Sequence, residues 1–297
     1  MIIMTQINIR KDRSERVNYD YSDFPIYVRQ ATLAIFPNYM AENHWHDDIE
    51  LIYMLSGHML YNVNGKIITM QEGEGILVNA KQLHYGFNED KTDCMYICIL
   101  FHPMIVCNIK NFEPTFIDPV LNSHIPYIHL SPTVAWQKNI LQYIQEINAQ
   151  KDKLSSPLNS CGFIYLLWNE VFTNIESLDK EGTRKDSDAR LTTLKTMITY
   201  IHEHYTEKLS LSDIANAGFI SKRTCGNLFL QYLHQSPIEF LIEYRLRRSI
   251  DLLKVSHLTI LDISLAIGFS GASFYTETFK KHFGITPTEY RKQLLKK

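Results

Sequence analysis

Between residues ~25 and 120 the apolar positions come in short runs, at 50–55, 67–70, 75–78 and 95–101, separated by turn-forming residues. Runs of this length, bounded this way, predict strands. Asn64-Gly65, set between MLYNV and KIITM, is a two-residue hairpin signal, because both residues tolerate positive φ. Repeated hairpins predict an antiparallel barrel or sandwich. From about residue 132 the period becomes helical. Ser131-Pro132 and Ser156-Pro157 each offer an N-cap followed by a proline at the first helical position. Trp136, Ile140, Tyr143, Ile144 and Ile147 share one face, and Phe163, Leu166, Leu167, Glu170 and Val171 approximately share another. Such faces serve either packing on the chain's own barrel or a subunit interface. The stretch SLDKEGTRKDSDAR at 177–190 is polar and mixed in charge, and reads as a linker. Beyond it the chain is helical to its end.

That last third contains an internal repeat. SLSDIANAGFIS (210–221) matches TILDISLAIGFS (259–270) at an offset of 49, whereas SPIE (236–239) matches TPTE (286–289), and Phe229 matches Phe279, at an offset of 50. Each copy opens on a hydroxyl cap with Asp three residues on. A short helix, a Gly-containing turn and a second, serine-capped helix follow. This is the helix-turn-helix pattern, whose second helix enters a major groove. Between the copies a long helix, 237–254, carries Ile238, Leu241, Ile242, Leu246, Ile250 and Leu253 on its apolar face. Arg245, Arg247 and Arg248 stand available to phosphates. Such a spacer would hold two readers about 34 Å apart, in successive major grooves.

Residues ~191–295 resemble the tandem helix-turn-helix domain of the AraC/XylS transcription regulators. GFSGASFYTETFKKHFGITPTEYR, 268–291, is very similar to that family's C-terminal signature. The resemblance implies a bacterial regulator that binds double-stranded DNA, commonly as a homodimer, with RNA polymerase as a further partner. It implies DNA contacts from Lys222, Arg223, Thr224, Gly226 and Asn227 on the first recognition helix (222–233). Arg245 on the spacer, and Ser273, Thr276, Glu277, Lys280 and Lys281 on the second recognition helix (271–282), complete the set. Arg223 suits guanine and Asn227 adenine. The family often has Arg where Asn227 stands and a basic residue where Glu277 stands. A carboxylate there repels phosphate, although it can accept from cytosine N4. The expectation is that the first unit reads bases and the second mainly anchors through Lys280 and Lys281.

The N-terminal part holds a second pattern. His44, His46 and Glu50 share strand parity, and His84 follows after Glu72-Gly73-Glu74-Gly75, with Asn88 four residues beyond. The spacing HxHx3Ex6G, then Gly73, His84 and Asn88, resembles the two cupin motifs, with Asn79 and Lys81 where cupins usually have Pro and Gly. The fold class expected is therefore multidomain. An all-β cupin-like barrel (25–120) follows an N-terminal arm (1–24). A helical dimerisation region (121–176), the linker (177–190) and an all-α tandem helix-turn-helix domain (191–297) come next. His44, His46, Glu50, Tyr53, Tyr61 and His84 are candidates for an effector pocket, with Tyr85 near the same strands. His44, His46, Glu50 and His84 are also candidate ligands for a divalent metal. A polar pocket for an organic effector and histidines built into the barrel wall are the alternatives.

Composition narrows the picture. The 297 residues are 45% hydrophobic with 17 Tyr and 15 Phe, which argues against a disordered chain. Five scattered cysteines, with no CxxC pair, fit neither a disulfide framework nor a structural zinc finger. The first sixteen residues lack the apolar segment of a signal peptide, and no run suits a membrane helix. A cytoplasmic protein without a membrane partner is expected. The net charge of −2 divides into an excess of five positive charges in 191–297 and seven negative in 1–190, which assigns a polyanion partner to the C-terminal third. A small-molecule-responsive regulator with no catalytic residues is the leading reading. A metal-dependent cupin enzyme with an appended helical domain, and a regulator whose barrel binds nothing, are its rivals.

Overall fold

The computed structural model describes residues 14–21, 24–106, 112–178, 185–255 and 258–295. The chain divides into two compact units, 1–187 and 188–297. In the first, eight strands are described: β1 (Ile26–Thr32), β2 (Ile49–Ser56), β3 (His58–Val63), β4 (Lys66–Gln71), β5 (Gly75–Val78), β6 (His84–Phe87), β7 (Met95–Phe101) and β8 (Tyr127–Leu130). They pair antiparallel as a five-stranded sheet, β1-β7-β2-β5-β8, and a three-stranded sheet, β4-β3-β6. The Asn64-Gly65 turn forms with φ of 51° and 86° and closes the β3–β4 ladder at Val63↔Lys66. Both residues thus sit in the left-handed region that this tight turn demands.

The five-stranded sheet is covered on both faces, which is why β2, β5 and β7 read as nearly unbroken apolar runs. Ile49, Leu51, Ile97, Ile99 and Phe101 point to one face. There they meet Ile140, Ile144 and Ile147 of α2 (Ala135–Gln150) and Ile164, Leu167, Trp168, Val171 and Ile175 of α3 (Ser156–Leu178). The alternate positions Ile52, Met54, Ile76, Val78 and Tyr96 point the other way, onto Met59, Tyr61, Val63, Ile68 and Met70 of the smaller sheet. A short helix, α1 (Asp118–Leu121), precedes β8.

Several expectations need correcting here. The region 121–176 is not wholly helical, because β8 pairs with β5 from Gly75↔Leu130 to Val78↔Tyr127. Four residues alternating in burial are too short to show a period. Ser131 does not cap α2, whose N-cap is Val134; its hydroxyl bonds Thr133 at 2.8 Å within a turn. Leu166 is 50% exposed whereas Ile164 and Trp168 are buried, so the inward face of α3 is rotated from the one expected. Helices also run into the 177–190 stretch from both sides, since α3 reaches Leu178 and α4 (Lys185–His204) begins at Lys185. Only 179–184 lies outside the described residues there, and polar composition alone does not separate an exposed helix end from a coil.

In the second unit α4 contributes the buried Leu191, Leu194, Met197, Ile198 and Ile201. α5 (Leu211–Ala217), α6 (Lys222–Leu233), α7 (Pro237–Val255), α8 (Ile260–Ala266), α9 (Ala272–Phe283) and α10 (Pro287–Leu295) follow. The capping boxes form: Ser210 with Asp213 and Thr259 with Asp262, each bonded in both directions. Ser236–Glu239 and Thr286–Glu289 repeat the exchange at the starts of α7 and α10. Each satisfies N–H groups that an uncapped helix leaves unpaired. Among the described residues no helix is long and apolar enough to cross a membrane.

Candidate nucleic-acid interface and effector cavity

The two helix-turn-helix copies share a core and differ on their outer faces. In α6, Cys225, Leu228, Phe229, Tyr232 and Leu233 are buried, and in α9 Tyr275 and Phe279 are fully buried. Lys222, Arg223, Thr224 and Asn227 are exposed and Gly226 is half-buried. In α9, Ser273, Glu277, Lys280 and Lys281 are exposed and Thr276 is half-buried. Ser221 caps α6 by accepting from the Thr224 N–H at 3.1 Å. Ser270 does not do the same for α9, whose N-cap is Gly271 with no side-chain bond. The change of offset from 49 to 50 falls at this glycine.

Arg245 does not stand free for phosphate. Its Nε donates to the Tyr205 carbonyl at 2.7 Å and Nη2 to the Glu207 carbonyl at 2.6 Å, and the guanidinium lies 5.9 Å from the Phe269 ring centre. Arg247 pairs with Glu243 at 2.8 Å, and Arg248 lies 3.6 Å from Asp251. Spacing along α7 places these arginines off the apolar face, but acids one turn away and nearby carbonyls engage them.

In the first unit, the sheets bring the four candidate ligands together. His44 pairs with His84 in an isolated bridge, and His46 precedes a bend at 47–48 that leads into β2 and Glu50. Lys81, at φ 64° where cupins usually have Gly, donates its N–H to the His46 carbonyl at 2.7 Å. One ligand atom from each of His44, His46, Glu50 and His84 lies within 4.8 Å of the others, and all four residues are buried. Each imidazole donates from Nδ1 to a backbone carbonyl: His44 to Glu42 at 2.7 Å, His46 to Asp48 at 3.0 Å, His84 to Gln82 at 2.8 Å. A carbonyl only accepts, so Nδ1 carries the proton and Nε2 of a neutral ring presents a lone pair.

Glu50 Oε2 nevertheless sits 3.2 Å from His46 Nε2 and 3.0 Å from His84 Nε2, while the Tyr61 hydroxyl donates to Oε1. A carboxylate facing two lone pairs needs a cation between them, whether a proton or a metal ion. Burial alone would raise the Glu50 pKa, but the charges and hydrogen bonds of His84 and His46 hold it well below the ordinary range. Burial opposes charge on His46, yet Glu50 outweighs it and raises that ring's pKa. Burial, with His84 alongside, pushes His44 down to about 3.

A cavity of about 340 Å³ adjoins the cluster. His44, Glu50 and Tyr61 line it, together with Glu15, Asn18, Tyr27, Arg29, Tyr96 and Cys98 at its polar parts. Leu33, Ile35, Phe36, Ile52, Met59 and Leu100 give it apolar walls. Tyr53 is not among the lining residues. It packs on the helix-facing side with Leu55, because strand parity separates it from Glu50 and Ile52. Tyr85 likewise packs with Phe87, 5.5 Å between ring centres. The Asn88 amide bonds Thr92 at 2.9 Å and takes no place in the cluster. The largest group of lining residues that sequence reasoning missed lies on β1 and β7. There Tyr27, Arg29, Ala31 and Tyr96, Cys98, Leu100 alternate with the core positions of the same strands. That alternation was the available signal.

A barrel with a ligand-sized cavity, and a helical unit with two helix-turn-helix copies, define a two-domain DNA-binding transcription regulator. In both units the chain is similar to the AraC/XylS regulators. The helix-turn-helix domain family matches residues 214–293, and the cupin domain family matches residues 33–100. The uncharacterized HTH-type transcriptional regulator YdeC of Bacillus subtilis (strain 168) is 28% identical over 293 residues, covering 97% of this chain and 99% of that protein. The melibiose operon regulatory protein of Escherichia coli (strain K12) is 24% identical over 278 residues, covering 90% of this chain and 88% of its own length. Among solved structures, a Chromobacterium violaceum transcriptional regulator of the AraC-type DNA-binding class is 36% identical. It covers 35% of this chain and 92% of its own, with a TM-score of 0.34.

Proposed function

We propose that the protein is a ligand-responsive, homodimeric regulator working in the cytoplasm, and that it is not an enzyme. The barrel takes a small organic effector into its cavity. α6 reads base edges through Arg223 and Asn227, and α9 anchors the second unit through Lys280 and Lys281. The carrying observation is the cavity itself. At about 340 Å³ it lies within the ~300–1,000 Å³ range of small-molecule sites, apolar walls meeting a few polar groups. Full-length relatives that are named as transcription regulators support regulation over catalysis. At promoters, RNA polymerase is the further partner.

For the dimer, the support is a strip of α3 that the barrel leaves uncovered. Leu158 is 76% exposed and Leu166 50% exposed, with open space around Gly162 between them. Leu158→Asp should give a monomer by light scattering, and an unchanged mass would remove this strip from the interface.

The cluster fits a divalent first-row ion. Three imidazoles turned Nε2-inward and one carboxylate are the donors such an ion prefers. A bound ion would supply fixed positive charge at the cavity wall, where an effector's oxygen lone pair could meet it. His44, His46, Glu50 and His84 would hold it, and Tyr61 would orient Glu50. Elemental analysis of protein purified without chelator, with His46→Ala as control, tests this.

The whole reading is tested by mapping bound sites across the genome and by thermal shifts with a metabolite panel. A ligand that binds only the folded state raises apparent stability by mass action. If the chain prefers no duplex over random competitor, the proposal fails.

A further inference from the structure

The segment before β1 is tied to the loop that carries the histidines. Ser14 bridges Trp45, the Glu15 N–H donates to the Trp45 carbonyl at 2.7 Å, and the Tyr19 hydroxyl donates to Asp48 at 2.7 Å. Trp45 lies between two cluster residues, and Asp48 supplies the carbonyl that holds His46 Nδ1. This docking turns the Glu15 side chain inward. That side chain is 15% exposed and lines the cavity, and its Oε2 lies 3.6 Å from His44 Nε2.

That contact is longer than a hydrogen bond. An ionised Glu15 also sets an acceptor against an acceptor, since His44 donates from Nδ1 to Glu42 and presents a lone pair at Nε2. Charge explains the pairing. Three neutral imidazoles and Glu50 would leave a divalent cation with one unit of positive charge in an apolar barrel. Buried charge is costly unless neutralised. Glu15 is the second carboxylate beside His44, and it brings the sum to zero.

Resting on the metal reading of the cluster, we propose that Glu15 is an arm-borne acid ligand to the divalent cation held by His44, His46, Glu50 and His84. Cation occupancy and docking of the segment from Ser14 to Tyr21 on the 44–48 loop are therefore one linked equilibrium. Each strengthens the other by the same factor.

The test uses the full chain with Co²⁺, whose visible absorption reports its ligand set. Wild type, Glu15→Gln and His46→Ala are titrated, and each is digested briefly with trypsin, which cuts after the exposed Arg16. Glu15→Gln should weaken Co²⁺ binding by about 10- to 100-fold, the usual loss for a residue supporting a metal site. It should change the absorption spectrum, and Glu15→Asp should recover part of both. Co²⁺ should slow cleavage at Arg16 in wild type and not in Glu15→Gln. Wild-type affinity and spectrum in Glu15→Gln, with cleavage indifferent to Co²⁺, would overturn the role of Glu15 while His46→Ala still abolished binding. A wild-type chain that takes up no Co²⁺ overturns the metal reading, and this inference with it.

Discussion

Arg245 is expected to hold the DNA-binding unit together rather than hold DNA, and the two roles predict opposite readouts. Its guanidinium donates to the Tyr205 and Glu207 carbonyls at 2.7 and 2.6 Å. Those carbonyls lie just past the end of α4, so the bonds fasten α7 to the segment that precedes the first helix-turn-helix. Hydrogen bonds from a charged donor contribute about 1.5–3 kcal/mol each. The group is only half-buried, so the pair together should contribute about 2–3 kcal/mol. Arg245→Ala should therefore speed amide exchange in the core of α7–α9 by roughly 30- to 150-fold, at a factor of ten for each ~1.4 kcal/mol. The slope of log affinity for DNA against log salt should stay as in wild type. Lys280→Ala should do the reverse. Exchange should be unchanged within ~0.5 kcal/mol, and the slope should become shallower by about 0.9, the release expected from one phosphate contact. The assays are exchange by mass spectrometry and fluorescence anisotropy on an operator fragment between ~50 and 200 mM salt. A normal exchange profile with a slope reduced by about one in Arg245→Ala would refute the assignment.

Other expectations follow from the same unit. At Gly268, φ is 84° and an added Cβ would meet the Tyr205 carbonyl at 2.5 Å and Arg245 Nη2 at 2.9 Å. Gly268→Ala should thus cost more than the ~1–2 kcal/mol of the left-handed backbone alone. In the equivalent turn of the first copy, Phe219 holds φ 54° and is 96% exposed, so Phe219→Gly should be neutral or slightly stabilising by chemical denaturation. Gly226 lies within α6 with nothing within 4 Å of an added Cβ; Gly226→Ala should stabilise by up to ~1 kcal/mol and lower operator affinity if DNA approaches the backbone there. Operator selection should lose sequence preference with Arg223→Ala and keep most of it with Thr276→Ala, and equal losses would contradict the division of labour between the copies. The capping carboxylates Asp213 and Asp262 have pKa values lowered from 3.8, and Glu239 and Glu289 from 4.5, by hydrogen bonds from their cap residues. Depressed carboxylates stabilise above their unfolded pKa. Helical circular dichroism should accordingly be constant at neutral pH and fall as pH drops below about 4, and Asp262→Asn should remove part of that acid dependence.

Elements whose residues carry a local signal were legible in the sequence. The Asn64-Gly65 hairpin, the caps at Ser210, Ser236, Thr259 and Thr286, and α6 from 222 to 233 are written in turn, cap and period chemistry that acts over a few residues. The four cluster residues were legible as well, through spacing and resemblance. What failed depends on partners distant in the chain. β8 is a strand because β5 offers an edge far earlier in the chain, pairing Gly75 with Leu130 and Val78 with Tyr127. Tyr53 faces the helices because the sheet has two buried sides, so neither face of β2 announces itself by polarity. Glu15 reaches the cavity only because residues 14 and 15 pair with Trp45, a contact that nothing near residue 15 encodes. Ser270 looks like a cap at an offset of 49, and one inserted residue moves the helix start to Gly271.

The paired copies show why recognition can diverge without cost to the fold. Phe229 and Phe279 are both fully buried, as are Cys225 and Tyr275, and each copy spends its caps on the same backbone N–H groups. The outward residues answer to none of these constraints. Arg223 stands opposite Ser273 and Asn227 opposite Glu277, all exposed, where substitutions ordinarily change stability by less than ~0.5 kcal/mol. Folding and the proposed reading therefore fall on different faces of one helix. The inward face is held to a narrow set of volumes, and the outward face is free to follow the DNA. A negative residue can persist at 277 because stability does not select against it. In the proposed interface Lys280 and Lys281, exposed one turn further on, would supply the attraction to phosphate that Glu277 cannot.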